Sequence, residues 1–413
     1  MTIIFYENSK VEDLSPITLT RASFDILCAG ATLFDAAKNA FPKAGFDALV
    51  REYVLGLTRV KHPKLSKKYS DEIILLDGAL VPSIKQVQQF AKKCEAGKSF
   101  ILKNEKGIAG AYLNLKELYI SKSEISKIHG GAVVEFLAKL KLRVVAIAWP
   151  QLEKLWEPIT YNKKLISENL SMLADSYEEL ESGVFIGKNV SIAENVVYDA
   201  SEGPIIIDDS VKIKPFVYLK GPVYIGKKSI INEFSSIKNG ACIGEACKIG
   251  GEVDATIIQG YSNKQHHGVL AYAWIGEWVN VGGAATNSDL KNTYGIVKMR
   301  NEDTGELFLG CVIGDYSKIG INSSILTGKV IGVNSSVLGI VARDIPSFTN
   351  FLGGLGDNVE FSMDMALQVQ KKMFDRRRVI QTKAHKDILA DVYKMTQKDR
   401  REYKVKKGKI LFK

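Results

Sequence analysis

An apolar residue recurs at every sixth position through a long stretch of the C-terminal half of the chain. The series is unbroken over Ile207, Ile213, Leu219, Ile225, Ile231, Ile237, Ile243 and Ile249. A second series in the same period reads Ile313, Ile319, Ile325, Ile331 and Val337. Glycine often follows the apolar residue directly, and small residues such as Ser229 and Ala241 stand four positions after it.

A period of six fits neither an α-helix, with its period of 3.6, nor an ordinary half-buried strand, with its period of two. It fits a coil of three flat faces, in which each face directs one large aliphatic side chain into a narrow interior. Stacked coils bury a ladder of like side chains, and each coil depends on its neighbours for stability. The sequence therefore predicts a parallel β-helix over residues 181–345. A β-sandwich of evenly spaced strands is the alternative.

The phase of the repeat slips between Ile249 and Ile275 and again between Val281 and Ile313. Insertions in a solenoid map to surface loops, which often carry its binding site. We therefore expect loops at both breaks, where the polar segments 260–268 and 280–292 lie. The first segment contains an adjacent histidine pair, and its position leaves both a structural and a catalytic role open.

Lys264, His266, the pair Ile275-Gly276 and the loop 280–286 resemble, in order and spacing, one half of a known bifunctional family. That family is the N-acetylglucosamine-1-phosphate uridylyltransferase/glucosamine-1-phosphate acetyltransferases. The resemblance implies that the β-helix is left-handed, that the protein is a homotrimer, and that acetyl-CoA or another acyl-CoA is the donor. It also implies that His266 is the catalytic base and that Asn280 belongs to the catalytic loop. The Tyr and Asp that follow the family's histidine are absent here.

The implied chemistry is acyl transfer to a sugar phosphate or sugar nucleotide. The attacking amine or hydroxyl must lose a proton, and a neutral imidazole suits the role of general base. Backbone N–H groups within 272–274 are candidate donors to the tetrahedral oxyanion. The candidate contacts to substrate or cofactor phosphates in this half are Asn263, Lys264, Lys291 and Lys298.

In residues 1–180, short apolar runs alternate with helical stretches, which favours an α/β domain. The segment 16–21 and the pair Asp77-Gly78 resemble nucleotidyltransferases that act on sugar 1-phosphates. The resemblance implies a Rossmann-like sheet, phosphate contacts from Thr18 and Arg21, and Mg²⁺ held by Asp77. However, the segment 6–14 contains no glycine with which to cradle a triphosphate.

Three functional hypotheses therefore stand side by side. The first is acyl-CoA-dependent acyl transfer in the β-helix. The second is nucleotidyl transfer that makes an NDP-sugar in the N-terminal domain. The third is a non-catalytic protein that binds a sugar nucleotide or serves assembly.

The formal charge of +10 is concentrated in a basic tail, which we predict to be helical over residues 346–413. Residues 371–413 contain sixteen Lys and Arg against five Asp and Glu, and such a tail argues against a nucleic-acid-binding face on the main domains. We expect it to pack along the β-helix or on a neighbouring subunit. The chain shows neither a signal peptide nor a membrane-spanning run, which indicates a cytoplasmic protein. Its five cysteines lack paired spacing, so we expect reduced thiols.

Overall fold

The computed structural model describes residues 1–354, 356 and 358–408. The contacts between residues divide the chain into two units, of which the first comprises Met1–Ile26 and Ala31–Leu155. The second comprises residues 27–30 and those from 156 onward. This division groups the helix Glu157–Ala174 with the coils that follow it. The domain boundaries at residues 180 and 345 stay predictions.

The first unit is a mixed sheet with helices. Its strands are β1 Thr2–Tyr6, β2 Gly45–Leu49, β3 Glu72–Asp77, β4 Phe100–Asn104, β5 Gly107–Asn114 and β6 Val144–Ala146. Its helices are α1 Leu33–Ala40, α2 Glu52–Lys61, α3 Ile84–Cys94, α4 Leu115–Leu118, α5 Lys122–Ser126 and α6 Val133–Lys139. Short 3₁₀ turns occupy Ser9–Leu14, Ser23–Asp25 and Gly130–Ala132.

The strand order in this sheet is β2-β1-β3-β5-β4-β6. Strand β1 runs parallel to both β2 and β3, whereas β5 runs antiparallel to its two neighbours. Every residue of β1 is buried, which is why its sequence is a continuous apolar run rather than an alternating one. After β1 the chain forms β2 on one side of that strand and then β3 on its other side. Ligands of open α/β sheets bind beyond the carboxyl ends of the strands at such a switch point.

The second unit is built around a left-handed parallel β-helix, the β-helix that the period of six indicated and the hand that the family resemblance implied. Face A contains Glu178–Glu181, Val184–Ile186, Ile205–Ile207, Val223–Ile225, Cys242–Ile243, Ile257–Ile258, Trp274–Ile275, Cys311–Ile313 and Lys329–Ile331. Face B contains Ser191–Ile192, Lys212–Ile213, Ile230–Ile231, Lys248–Ile249, Asn263–Lys264, Asn280–Val281, Lys318–Ile319, Ser336–Val337, Thr349–Phe351 and Val359–Glu360. Face C contains Val197–Asp199, Tyr218–Lys220, Ser236–Lys238, Glu252–Asp254 and Val269–Ala271, and then Thr286–Asn287, Ser324–Ile325 and Ile340–Val341.

The predicted ladder is confirmed. Ile207, Ile225 and Ile243 pair in register on face A, and each is fully buried. Leu219 and Ile237 do the same on face C. These side chains belong to one continuous apolar cluster that fills the interior of the coils. Each coil contributes a few aliphatic side chains to this cluster, so no coil could bury its apolar surface alone.

The first predicted break is not a loop. The coils continue through it without an insertion, because Val253, Ile258 and Leu270 occupy the inward positions that the sequence period missed. The turns at these corners are shorter than elsewhere, and shortened turns shift the phase of the repeat just as an insertion does. The expectation of a surface loop at residues 260–268 was therefore wrong.

The second break is a true excursion from the coil. Between Asn287 and Cys311 the chain leaves the β-helix and forms an antiparallel hairpin from Lys298–Met299 and Glu302–Asp303. Asn287 closes the coil where the excursion begins. Its amide group donates to the carbonyl of Ala271 and accepts from the N–H of the same residue.

Helix α7, Glu157–Ala174, packs on the coils, and the Nδ2 of its Asn162 donates to the carbonyl of Gly240 at 2.8 Å. The predicted helical tail is present as α8 Met363–Asp375, α9 Lys383–Met395 and α10 Gln397–Glu402. Its last stretch, residues 409–413, lies outside the described residues. Within the described part of the chain, no helix is long and apolar enough to cross a membrane. All five cysteines are buried and free, as the sequence indicated.

Candidate functional site

The two adjacent histidines lie at an exposed corner of the β-helix between faces B and C. The strand Asn263–Lys264 leads into this corner, and the strand Val269–Ala271 leaves it. Both imidazoles are exposed to solvent. The corner of the next coil lies directly beside them, and the N–H of Ala284 in that corner donates to the carbonyl of His267 at 2.9 Å. A methyl group built on Gly283 would stand 3.5 Å from the Cβ of His266.

Lys264 points into the coil rather than towards a ligand. It pairs in register with Ile249, at an inward position of the ladder, and only 2% of its surface is exposed. Its ammonium group donates to the carbonyl of Gly250 at 2.7 Å and to that of His266 at 2.9 Å. Burial lowers its pKa to about 8. The predicted phosphate contact is therefore corrected: Lys264 fixes the backbone on which His266 is mounted.

Asn263 and Asn280 occupy neighbouring rungs of face B, on its outer side. Asn280 is exposed, whereas the Oδ1 of Asn263 accepts from the guanidinium of Arg377 at 2.6 Å. The lysines Lys248 and Lys318 continue the same row on either side of the two asparagines. The row therefore presents two amides between two cationic side chains.

This row forms the floor of a cavity of about 420 Å³. Helix α8 closes the cavity with Met373, Arg376 and Arg377. Gln265, the residue before His266, also lines it, so the cavity reaches the histidine corner. The remaining lining residues are Tyr261 and Trp278, whose rings stack with their centroids 4.6 Å apart.

The other residues predicted on this half lie elsewhere or are already engaged. Lys291 and Lys298 belong to the excursion, where the ammonium of Lys291 donates to the carbonyl of Ile296 at 2.5 Å and Lys298 is exposed. Neither lines the cavity beside His266. Two of the proposed oxyanion donors are also corrected, because the N–H of Tyr272 donates to the carbonyl of Asp254 and that of Ala273 donates to the hydroxyl of Thr256. The N–H of Trp274 stays a proposed donor.

In the first unit, Thr18 and Arg21 are buried and hold their own loop together. The hydroxyl of Thr18 donates to the carbonyl of Val11 at 2.9 Å, and the Nε of Arg21 donates to that of Ile17 at 3.1 Å. A group that is buried and bonded to backbone carbonyls cannot hold a phosphate without rearrangement. The prediction that these two residues contact phosphate is therefore corrected.

Asp77 ends strand β3 with only 1% of its surface exposed. Its carboxylate accepts from Asn8 at 2.6 Å and from the N–H of Ala79 at 2.9 Å. Burial raises its pKa to about 7, although these two donors act in the opposite direction. Among the described residues, no group of three His, Cys, Asp or Glu side chains could hold a metal. Mg²⁺ commonly uses one or two carboxylates together with substrate phosphates, so Asp77 stays a proposed ligand.

A crevice of about 920 Å³ opens beyond the carboxyl ends of β1 and β2, and Asn8, the hydrogen-bond partner of Asp77, lines it. Glu7 and Arg51 line it and form a partly buried ion pair, with the Nε of Arg51 3.0 Å from the Glu7 carboxylate. Arg51 also donates to the carbonyls of Thr18 and Arg21. The exposed side chains of Arg59 and Lys67 lie on its rim.

Sequence reasoning missed Arg51, Lys318 and Arg377. Arg51 follows directly on the end of a strand, which is a signal that could have been used. Nothing local marks Lys318 or Arg377, since each looks like one basic residue among many.

Comparison with known proteins found similarities to parts of the chain. Residues 3–178 match the model of the family described as sugar nucleotidyl transferase. The bifunctional protein GlmU of Synechococcus elongatus is 29% identical over 171 residues, which are 40% of this chain and 34% of GlmU. YaiX of Escherichia coli, an uncharacterized acetyltransferase, is 29% identical over 171 residues, which are 39% of this chain and 74% of YaiX.

Solved structures give weaker likenesses. AntD, an N-acyltransferase from Bacillus cereus solved with dTDP-4-amino-4,6-dideoxyglucose and coenzyme A, is 17% identical over 49% of this chain and 98% of AntD, with a TM-score of 0.25. A UDP-N-acetylglucosamine acyltransferase is 17% identical over 55% of this chain and 89% of its own, with a TM-score of 0.21. The alignment with GlmU spans about a third of that protein's length. Residues 3–178, less than half of the chain, are thus similar to sugar nucleotidyl transferases, and parts of the chain are similar to GlmU and YaiX.

Proposed function

We propose that the β-helix transfers an acyl group from acyl-CoA, with acetyl-CoA as the first candidate, to a sugar phosphate or sugar nucleotide. The observation that supports this most is the exposed side chain of His266 directly after Gln265, which lines a polar cavity. The similarity to GlmU and YaiX supports the same reaction class.

In the proposed reaction, the amine or hydroxyl of the sugar attacks the thioester carbon while His266 takes its proton. The tetrahedral intermediate then collapses, the C–S bond breaks, and the protonated His266 gives its proton to the sulfur, so that CoA leaves as the free thiol. Lys264 acts indirectly, because it holds the carbonyl of His266 and with it the start of the histidine corner. We assign to Asn280, which is exposed one coil away on face B, the role of orienting the acceptor.

The test is thiol release from acetyl-CoA with a panel of amino- and hydroxy-sugar 1-phosphates and sugar nucleotides. General-base catalysis contributes at least about 100-fold, so we expect His266→Ala to lower kcat by at least that factor. His267→Ala is the matched control, since it removes an equally exposed imidazole from the same corner. Equal activity of wild type and His266→Ala would overturn the assignment of the base.

A second activity, nucleotidyl transfer, is favoured by the family match over residues 3–178 and by the crevice at the ends of β1 and β2. Its products would be an NDP-sugar and pyrophosphate, with Mg²⁺ as cofactor and Asp77 near it. We expect pyrophosphate release that falls in Lys67→Gln, on the rim of the crevice, and persists in His266→Ala. Release of neither thiol nor pyrophosphate, together with tight binding of a sugar nucleotide, would favour a non-catalytic binding protein instead.

We further propose a cytoplasmic homotrimer, in line with the resemblance to the bifunctional family.

A further inference from the structure

The cavity between face B and helix α8 has an unbalanced positive charge. Four of its lining side chains are basic: Lys248, Lys318, Arg376 and Arg377. Among the described residues that line it, none is acidic. The carboxylate nearest to the two arginines along α8, that of Asp375, pairs instead with Lys371 at 2.8 Å.

The four basic groups reach the cavity from two directions. Lys248 and Lys318 stand on the floor, in the outer row of face B, whereas Arg376 and Arg377 come from the end of α8. The guanidinium of Arg377 is held by Asn263, so its position does not depend on a ligand. A preorganised guanidinium loses less freedom on binding than a mobile one, and it matches the oxygens of a phosphate.

Lys318 is held in a place where its charge is costly. Its ammonium donates only to carbonyls in the contacts described, those of Trp278 and Tyr316. Burial lowers its pKa to about 7. The charged groups that face it from α8 are Arg376 and Arg377, both of the same sign. A bound anion would compensate all of these charges at once.

Helix α8 is fixed firmly enough to act as a wall. Phe374 is fully buried, and the centroid of its ring lies 4.4 Å from that of the Trp278 ring and 4.9 Å from that of the His385 ring. The arginines that follow Phe374 are therefore carried to the cavity by a packed helix and not by a mobile tail. Arg376 and Arg377 line the cavity, whereas the third arginine of the run, Arg378, does not.

We propose that this cavity is a phosphate-binding site, in which the tail of the chain supplies half of the charge. Its ligand is a phosphate-bearing small molecule, held between the lysines of face B and the arginines of α8. The inference rests on the proposed function only for the choice of ligands, which are the phosphate groups of a CoA donor or of a sugar-nucleotide acceptor.

The experiment is calorimetric titration of the full-length protein with inorganic pyrophosphate, at about pH 6.5 so that Lys318 is largely charged. A hydrogen bond to a charged group contributes about 1.5–3 kcal/mol, so we expect Arg377→Gln and Lys318→Met each to weaken binding about tenfold or more. Arg378→Gln is the matched control, because it removes one charge from the same arginine run outside the cavity, and it should bind like wild type. Lys248→Gln, on the outer surface, serves the same purpose as Lys318→Met should that variant fail to fold.

Two further probes distinguish the sources of the phosphate. Adenosine 3′,5′-bisphosphate represents CoA, and UDP represents a sugar nucleotide; the one that binds more tightly and loses affinity in Arg377→Gln identifies the ligand. Absence of binding by all three probes, or an equal loss in Arg377→Gln and Arg378→Gln, would overturn the proposal. The outcome is independent of turnover. Anion binding without thiol release would remove only the proposed function, whereas thiol release without anion binding would remove only this inference.

Discussion

Lys264 occupies a ladder position in the interior of the β-helix, next to Ile249, where most other coils place an aliphatic side chain. Its stem replaces part of the apolar packing, and its ammonium satisfies two carbonyls at the corners that flank it. A buried charge is costly unless it is hydrogen-bonded, so such a residue is retained where it fixes something specific. Here it fixes the corner that carries His266.

The first prediction concerns this lysine. Because burial lowers the pKa of Lys264 to about 8, the unfolded chain binds more protons than the folded one between about pH 8 and 10. The penalty is fully present below pH 8 and is relieved as the pH rises, so the free energy of unfolding rises in this window. We expect urea denaturation to show wild type gaining stability relative to Lys264→Met as the pH is raised from about 8 to 10.

Ile249→Met is the control for this measurement, since Ile249 is the neighbouring rung and carries no titrating group. Its difference from wild type should not change with pH. A pH-independent difference for Lys264→Met as well would show that the ammonium titrates normally and is not buried as described.

At the scale of the element, the tail helix α8 has two distinct faces. Phe374 packs on the coils, whereas Met365 on the same helix is about half exposed. The packing of Phe374 positions Arg376 and Arg377, so the charge of the tail becomes part of a site through one aromatic contact. The sequence shows only a basic amphipathic helix, for which a solvated surface is the ordinary expectation.

The second prediction is that Phe374→Ala loosens α8 without unfolding the coils. Removing a buried phenylalanine costs about 3 kcal/mol or more, and the helix that Phe374 anchors follows the last coil. We expect hydrogen exchange of the α8 amides to accelerate by roughly 100-fold, and pyrophosphate affinity to fall about tenfold. Met365→Ala, which truncates an exposed side chain of the same helix, should change neither. Normal pyrophosphate binding in Phe374→Ala would mean that α8 does not shape the cavity.

At the scale of the whole molecule, the chain joins two units with separate cores. The apolar cluster of the sheet includes Ile4, Ile73 and Leu113, and that of the coils is the continuous ladder. Each unit also has its own crevice, one beyond the strands of the sheet and one on face B. Two activities on one chain are therefore open to separate tests, and a variant in one crevice should leave the other activity intact.

The third prediction concerns assembly. If the chain forms the homotrimer that we propose, sedimentation equilibrium should give about three times the chain mass of 45.6 kDa. The stacked rings of Phe216 and Phe234 are more than half exposed in the single chain, so they are apolar surface that a neighbouring subunit could cover. A mass equal to one chain, constant over a dilution series, would contradict the trimer.

The sequence by itself determined the β-helix, because its period of six is a property of neighbouring residues and survives without knowledge of distant contacts. It also indicated the α/β domain, but it placed His266 in a surface loop, whereas the structure has this residue at a corner of a continuous coil. It could not separate a shortened turn from an insertion, since Val253 and Leu270 shift the phase in the same way that a loop would.

Only the tertiary structure decided which polar residues face a ligand. Lys264 and Asn263 are adjacent in sequence, yet successive strand residues point to opposite faces, so one lies in the core and the other lines the cavity. Arg21 looked like a phosphate contact and is buried on its own loop. Arg377 is more than one hundred residues from Asn263 in the chain, and only the packing of α8 brings the two within hydrogen-bonding distance.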